Sequence, residues 1–222
     1  MPELPEVETI VRRLARRLPG RTIVRANVRR PNVVRGSPRK LERALEGATI
    51  ESVTRRGKFL VFRLADGRVW WSHLRMTGQW HVDPGKGAAR RSGRGRVARE
   101  RPRVENDPYA RAVFDLDDGS RLTFVDVRTL GEMEVLSARG WARREAAMGV
   151  EPLEPSFTPE LLAELLDRSG RQVKEFLLDQ SKVAGIGNIY ASEALWRARI
   201  SPRRRGRNVG PVRAEALHRA IV

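Results

Sequence analysis

The sequence contains no cysteine in its 222 residues. This absence excludes disulfide bonds, thiol nucleophiles and every zinc site with cysteine ligands. The three histidines, His73, His81 and His218, do not have a spacing typical of a zinc site. The chain also has no Walker loop, no dinucleotide-binding fingerprint and no Ser, His and Asp pattern typical of hydrolases. We therefore predict that the residues of this chain bind no metal and no other cofactor.

Long apolar runs are missing as well. No stretch approaches the roughly 20 residues that a membrane-spanning helix requires. Glu3, Glu6 and Glu8 stand near the N-terminus, where a secretion signal would have Lys or Arg. We therefore expect a soluble intracellular protein with no membrane partner.

Acidic residues are few compared with basic ones. There are 27 Asp and Glu against 44 Lys and Arg, which gives a net charge of +17 and a pI near 11.5. Residues 85–103 hold eight Lys or Arg and one Glu, and we predict a mobile basic loop there. A second basic cluster lies at 203–207. This balance favours a polyanionic partner, although the loop alone could equally be a solvated filler segment.

Hydrophobic spacing predicts an α+β fold with a change of class near residue 137. Leu4, Val7, Ile10, Leu14 and Leu18 share one face of an amphipathic helix. We expect 1–136 to be an antiparallel β-sandwich-like domain behind this long leading helix, and 137–222 to be helical. The predicted strands are 22–28, 50–54, 58–64, 69–73, 112–116, 121–125 and 131–136, and the predicted helices begin at 159, 173, 189 and 213.

The first residues suggest a chemistry of their own. If Met1 is removed, Pro2 becomes a free secondary amine, which titrates near pH 8 and is partly unprotonated at neutral pH. Attack of such an amine on a sugar C1′ would give an iminium, and Glu3 could move the protons. The alternative is that Pro2 only marks the start of a helix.

Five blocks in the sequence carry a resemblance to one family over nearly the whole chain. They are residues 1–10, 56–60, 73–78, 126–131 and 179–196. With these blocks the sequence is similar to the formamidopyrimidine-DNA glycosylases, bifunctional base-excision enzymes for oxidised purines. Pro-Glu-Leu-Pro at 2–5 matches this branch better than the endonuclease VIII-like branch, which prefers oxidised pyrimidines.

The resemblance implies a catalytic role for four residues. Pro2 would be the Schiff-base nucleophile, and Glu3 the acid and base for base loss and sugar opening. Lys58 would contact phosphate and donate a proton in β-elimination, or it could simply be a charge at a strand edge. Glu6 would be a carboxylate near the site, or a first-turn glutamate that the helix dipole favours.

The resemblance also implies DNA contacts. Met76 would fill the void left by a flipped base, and Arg128 would reach toward the orphaned base, although a strand methionine is more often a core residue. Leu130 stands where the family has Phe, and it could still act as an apolar wedge with less stacking surface. Lys174 and Asn188 would lie in a helix-two-turn-helix phosphate clamp. Tyr109 stands where many relatives have a DNA-contacting histidine. Because the residue type differs, a DNA contact by Tyr109 is a weaker expectation than the others.

One part of the family pattern is absent. The resemblance implies a C-terminal zinc finger with four cysteines, which this chain lacks. We expect truncation at the C-terminus, and the alternative is that another segment takes the place of the finger. The leading hypothesis is a monomeric cytoplasmic, nucleoid-associated DNA glycosylase and AP lyase that acts on oxidised purines in duplex DNA. The alternatives are a catalytically silent DNA-binding remnant and an oxidised-pyrimidine glycosylase.

Overall fold

The computed structural model describes residues 2–84, 104 and 107–222. Two compact units are present: Met1–Arg55 with Phe59–Trp141, and Arg56–Lys58 with Ala142–Val222. The predicted basic loop 85–103 lies outside the described residues. The assignment of separate roles to 1–136 and 137–222 stays a prediction.

The first unit is built around two four-stranded antiparallel sheets. Its helices and strands are α1 Leu4–Ala15, β1 Ile23–Val28, α2 Pro38–Leu45, β2 Ile50–Arg56, β3 Phe59–Leu64, β4 Val69–His73, β5 Gly78–Asp83, β6 Ala110–Leu116, β7 Arg121–Asp126 and β8 Glu132–Leu136. The strand orders in the two sheets are β1-β6-β7-β5 and β2-β3-β4-β8.

Aromatic side chains from both sheets share one core. Trp70 of β4 stacks on Phe62 with ring centroids 4.4 Å apart and meets Trp80 of β5 edge-on at 5.3 Å. Neighbouring strand residues point to opposite faces, so Trp71 packs instead against Phe59 on the outer face of its sheet. Both faces of β4 are covered, so its first four residues, Val69 to Ser72, are all buried without alternation.

The second unit is helical. The remaining helices of the chain are α3 Ala138–Ala146, α4 Pro159–Asp167, α5 Val173–Leu178, α6 Asn188–Arg197 and α7 Pro211–Ile221. Helix α3 begins in the first unit and ends in the second. Thr158 caps α4, since its hydroxyl accepts a hydrogen bond from the Leu161 amide at 3.2 Å. The apolar faces of α4 to α7 meet in one buried cluster.

The predicted α+β class is confirmed, with three local corrections. Helix α1 ends at Ala15 and not at Leu18, although Leu18 is still buried. Strand β5 was not predicted, because its alternating Trp80 and Val82 stand directly before the basic loop. Helices α2 and α3 were also missed, because each is short and rich in charged residues and buries only one or two side chains.

Candidate active site

The start of helix α1 holds three of the predicted catalytic residues. Glu3 is the N-cap, and its side chain accepts a hydrogen bond from the Glu6 amide. The Glu6 carboxylate in turn accepts one from the Glu3 amide at 2.9 Å, which completes a reciprocal capping box. Glu6 therefore has a structural task in this helix, and its predicted place near a reacting group stays a prediction.

Burial distinguishes Glu3 from ordinary surface carboxylates. Only 1% of Glu3 is exposed, whereas Pro2 beside it is partly accessible. The Glu3 carboxylate is buried and held by the capping box at the helix N-terminus, and Glu3 directly follows Pro2 in the sequence. This arrangement can transfer protons to and from a group that reacts at Pro2.

Three predicted DNA-contacting residues lie on two neighbouring loops of the first unit. Met76 is 41% exposed in the loop that joins β4 to β5, so its interpretation as a core residue is wrong. Arg128 and Leu130 lie in the loop that joins β7 to β8, where Leu130 is 45% exposed. Strand β5 begins opposite the end of β7, with Gly78 paired to Asp126, so the two loops lie at the same edge of the sheet.

A buried carboxylate joins these loops. Asp126 accepts hydrogen bonds from the Thr77 hydroxyl, from the Arg128 amide at 3.2 Å and from the Gly131 amide at 2.7 Å. Asp126 is fully buried. One side chain therefore holds both the segment with Met76 and the segment with Arg128.

A buried arginine supports the second loop from within the sheet. Arg111 of β6 donates to the carbonyl oxygens of Asp126 at 2.7 Å, Val127 at 3.3 Å and Pro108 at 3.1 Å. Its guanidinium also lies 5.4 Å from the ring centre of Tyr109, within the range of a cation–π contact. Tyr109 is therefore engaged by the protein, although much of its surface is exposed.

Lys58 lies in a tight turn between β2 and β3 and is only 7% exposed. The residues before it are tied to the segment that precedes α4. Glu151 accepts hydrogen bonds from the Gly57 amide at 2.8 Å and from the Arg56 guanidinium at 3.2 Å. The same guanidinium donates to the Gly149 carbonyl at 2.7 Å. A buried lysine is unusual, and this rigid turn argues against a freely solvated charge at a strand edge.

The turn between α5 and α6 is organised by one glutamine. Gln180 donates to the carbonyls of Leu178 and Ile186, each at 2.9 Å, and accepts from the Gly185 amide at 3.0 Å. Gly185 has a φ of +93°, a conformation that favours glycine. The turn thereby opens α6 at Asn188, which is exposed, and a helix N-terminus favours a nearby anion through its dipole.

Lys174 lies in the first turn of α5 and is half-buried. Its amide donates to the Pro202 carbonyl at 3.3 Å, which ties α5 to the segment before α7. Lys174 and Asn188 thus belong to the same helical unit, as the predicted clamp requires. The structure describes their positions, and their contact with phosphate stays a prediction.

Family models match both units. The formamidopyrimidine-DNA glycosylase N-terminal domain matches residues 1–133, and the H2TH domain of the same enzymes matches residues 148–222. The formamidopyrimidine-DNA glycosylase of Chloroflexus aurantiacus is 41% identical, over all of this chain and 74% of the relative. That of Symbiobacterium thermophilum is 40% identical, over all of this chain and 68% of the relative. The chain belongs to the formamidopyrimidine-DNA glycosylase family.

Solved structures of the Lactococcus lactis family member have the same fold. The complex with DNA that contains an abasic site matches with a TM-score of 0.81 and 31% identity, over 99% of this chain and 75% of that one. The complex with Fapy-dG-containing DNA matches with a TM-score of 0.82 and 31% identity, over 99% and 77%. The predicted resemblance to the formamidopyrimidine-DNA glycosylases is thus confirmed, including an N-terminal β domain followed by a helix-two-turn-helix domain.

The residues present do not fit the zinc finger that the family resemblance implies. Such a finger needs four cysteines, and this family member has none. Within 2–84, 104 and 107–222, three or more acidic or histidine side chains nowhere form a group that could hold a metal ion. No chemical step is therefore assigned to zinc.

Within the same described ranges, no helix is long and apolar enough to cross a membrane.

Sequence reasoning missed the residues that hold the site in place. Asp126, Thr77 and Gln180 stand inside the family blocks but received no role, because their partners are distant in sequence. Glu151 and Arg111 had no local signal, since a single Glu or Arg in a charged sequence does not indicate burial. Each is recognised only from its contacts across elements.

Proposed function

We propose that this chain is a base-excision-repair DNA glycosylase and AP lyase that removes oxidised purines from duplex DNA. The start of α1 carries the proposal, because Pro2 directly precedes Glu3, whose carboxylate is buried and held in a capping box at the helix N-terminus. Family membership supports it, and so does the binding of abasic-site and Fapy-dG DNA by the Lactococcus lactis structures.

The chemistry begins at the processed N-terminus. Once Met1 is removed, the lone pair of the Pro2 nitrogen attacks C1′, and the glycosidic bond breaks as the base leaves with its electron pair. Glu3 takes up the proton that the attacking Pro2 nitrogen releases and delivers it to the ring oxygen O4′ as the sugar opens, which leaves an iminium between Pro2 and C1′. Loss of a proton from C2′ then expels the 3′ phosphate, so the strand is nicked by β-elimination.

Other residues act on the DNA around this reaction. In this proposal Lys58 contacts phosphate and donates a proton during elimination, and its rigid turn limits where the ammonium can lie. Met76, Leu130 and Arg128 enter the duplex after the damaged nucleotide is flipped, because their loops present apolar and cationic side chains together. Lys174 and the first turn of α6 at Asn188 hold phosphate.

The same proposal includes the partner, the oligomeric state and the cellular location. The partner is duplex DNA with an oxidised base, and the strongly basic composition supports binding to a polyanion. A monomer and a cytoplasmic, nucleoid-associated location stay predictions.

Borohydride trapping tests the proposal. Incubation with a duplex that contains an oxidised guanine should give a covalent protein–DNA adduct, because borohydride reduces the iminium. Glu3→Gln should reduce the adduct by about 100-fold, within the range for loss of an acid and base. One extra residue before Pro2 should abolish it, since the nitrogen is then an amide.

Pro5→Ala is the matched control, because Pro5 lies two residues into α1 and has no assigned chemistry. It should keep the adduct. Binding without any adduct in the unaltered chain would contradict catalysis and favour a silent DNA-binding protein. Faster release of a damaged thymine than of a damaged guanine would contradict the preference for purines.

A further inference from the structure

The loop before β5 and the loop after β7 are joined at several points. Besides its contacts with Asp126, the Arg128 amide also donates to the Thr77 hydroxyl oxygen at 3.1 Å. Arg75 of the first loop donates to the Glu132 carboxylate, directly after the second loop, at 3.1 Å. The two loops therefore move as one body unless these contacts break.

Both loops also contain a residue in an unfavourable backbone conformation. Arg75 has a φ of +52° and Thr129 a φ of +55°, in the left-handed region that non-glycine residues rarely adopt. Such conformations persist only where the surroundings impose them. Arg75 is held by hydrogen bonds from its amide to His73 Nδ1 at 3.0 Å and from its guanidinium to Glu132 at 3.1 Å. The Thr129 amide donates to the Asp126 carbonyl oxygen at 3.3 Å.

The side chains that emerge from this joined pair are not those of an ordinary protein surface. Met76, Val127 and Leu130 are each more than 40% exposed, and Arg128 is exposed among them. An exposed apolar group beside a cation suits insertion into a base stack next to phosphate. Recognition of a base requires a fixed distance between the apolar side chains and Arg128. If the two loops moved independently, Arg128 would not be held at a defined position relative to the base.

We propose that Asp126 is the positioning residue that sets discrimination of the base opposite the lesion, by holding the Met76 loop and the Arg128–Leu130 loop in one geometry. This inference rests on the proposed function, but it concerns the selection of the opposing base and not the reaction at Pro2. Asp126 touches no reacting group and acts through Arg128.

The donor pattern explains why an aspartate is required. Two backbone amides and one hydroxyl point at the carboxylate, with Arg128 and Gly131 on different oxygens. An asparagine would turn its NH2 group either toward the Gly131 amide or toward the Arg128 amide and the Thr77 hydroxyl. In either orientation at least one of these donors loses its acceptor oxygen on residue 126, which loosens the link between the loops.

The test measures single-turnover excision of an oxidised guanine opposite cytosine and opposite adenine. The ratio of the two rates is the readout, because it does not depend on the fraction of active protein. In Asp126→Asn the ratio of the two rates should lie about tenfold closer to one than in wild type. This is the scale of one lost base-reading contact. The control is Asp115→Asn, which breaks the Asp115–Arg121 ion pair of β6 and β7 and should keep the wild-type ratio.

A second pair of variants keeps the inference testable if Asp126→Asn does not fold. Thr77→Val removes the hydroxyl that bridges Asp126 and Arg128 and should lower the ratio in the same way. Thr77→Ser retains the hydroxyl and should restore it. An unchanged ratio in Asp126→Asn, or in Thr77→Val where the former does not fold, would overturn the inference.

The wild-type chain separates this inference from the proposed function. Trapping on a preformed abasic site in single-stranded DNA reports the Pro2 chemistry without any opposing base. Failure of that trapping contradicts the proposed function itself. Successful trapping with a wild-type excision ratio of one leaves the proposed function standing and overturns the role of Asp126.

Discussion

Glu8 of α1 shows how a single residue couples this basic chain to pH. Its carboxylate accepts hydrogen bonds from Arg12 at 2.7 Å and from Arg55 at 3.0 Å. Burial alone would raise the pKa of Glu8, but the two guanidinium groups outweigh it and hold the pKa below its usual value near 4.5. The Arg55 side chain is almost fully buried, so this pair is less screened than most surface ion pairs.

Stability should therefore depend on Glu8 in a defined pH range. A lowered pKa stabilises the folded state above the unfolded pKa, and this stabilisation is lost as the pH falls through the folded pKa. Glu8→Gln should lower the free energy of unfolding by about 1 kcal/mol near pH 7. Its difference from wild type should shrink between roughly pH 5 and pH 3.

Urea unfolding at several pH values measures this difference. Glu51→Gln, at an exposed position on β2, controls for the loss of one negative charge from the basic chain. A Glu8→Gln deficit that stays constant down to pH 3 would show that the ion pairs are not its cause.

At the scale of elements, the connection between β7 and β8 depends on the close approach of the Gly131 backbone to the Phe124 ring. Gly131 ends the loop that carries Arg128 and Leu130, and its amide donates to Asp126. A Cβ on Gly131 would overlap the Phe124 ring, with Cε1 only 2.9 Å away, and would lie 3.1 Å from the Asp126 carboxylate. Phe124 is fully buried and cannot yield without disturbing the core.

We therefore predict that Gly131→Ala lowers the free energy of unfolding by about 1–3 kcal/mol, the usual cost of an overpacked core. Gly170→Ala is the matched control, since a Cβ at Gly170 would have nothing within 4 Å and the φ of this residue is not in the left-handed region. That variant should stay within about 0.5 kcal/mol of wild type. Equal unfolding midpoints for the two variants would contradict the steric argument.

At the scale of the whole molecule, the charge is divided unevenly. Residues 85–103 contribute +7 of the net +17, and about +10 belongs to the rest of the chain. Phosphate contacts release counterions, so each contact adds about 0.9 to the slope of log affinity against log salt on duplex DNA. The slope therefore reports how many of the basic residues meet the DNA.

Replacement of residues 85–103 by a Gly/Ser segment of equal length should reduce this slope by at least about 1. Equal length preserves the connection between β5 and β6, so the change reports lost charge and not an altered chain closure. Binding of an undamaged duplex across a salt series provides the measurement. An unchanged slope would mean that the segment makes no phosphate contact.

The sequence predicted most of the elements because their signals are local. Helices α4 and α6 were recognised from their apolar spacing together with Thr158 and Gly187 at their N-caps. Strand β5 and helix α2 were not, because their apolar positions are few and their burial comes from contacts with distant strands. The end of α1 was misplaced for a similar reason, since Leu18 is buried outside the helix.

The family, the basic charge and the candidate nucleophile at Pro2 were determined by the sequence alone, because each is a property of residue identity and order. Only the tertiary structure could decide that Glu3 is buried, that Met76 is exposed and that Asp126 joins two loops. Burial and hydrogen bonding depend on residues that are far apart in the chain. Such contacts exist only once the sheets have paired and brought those residues together.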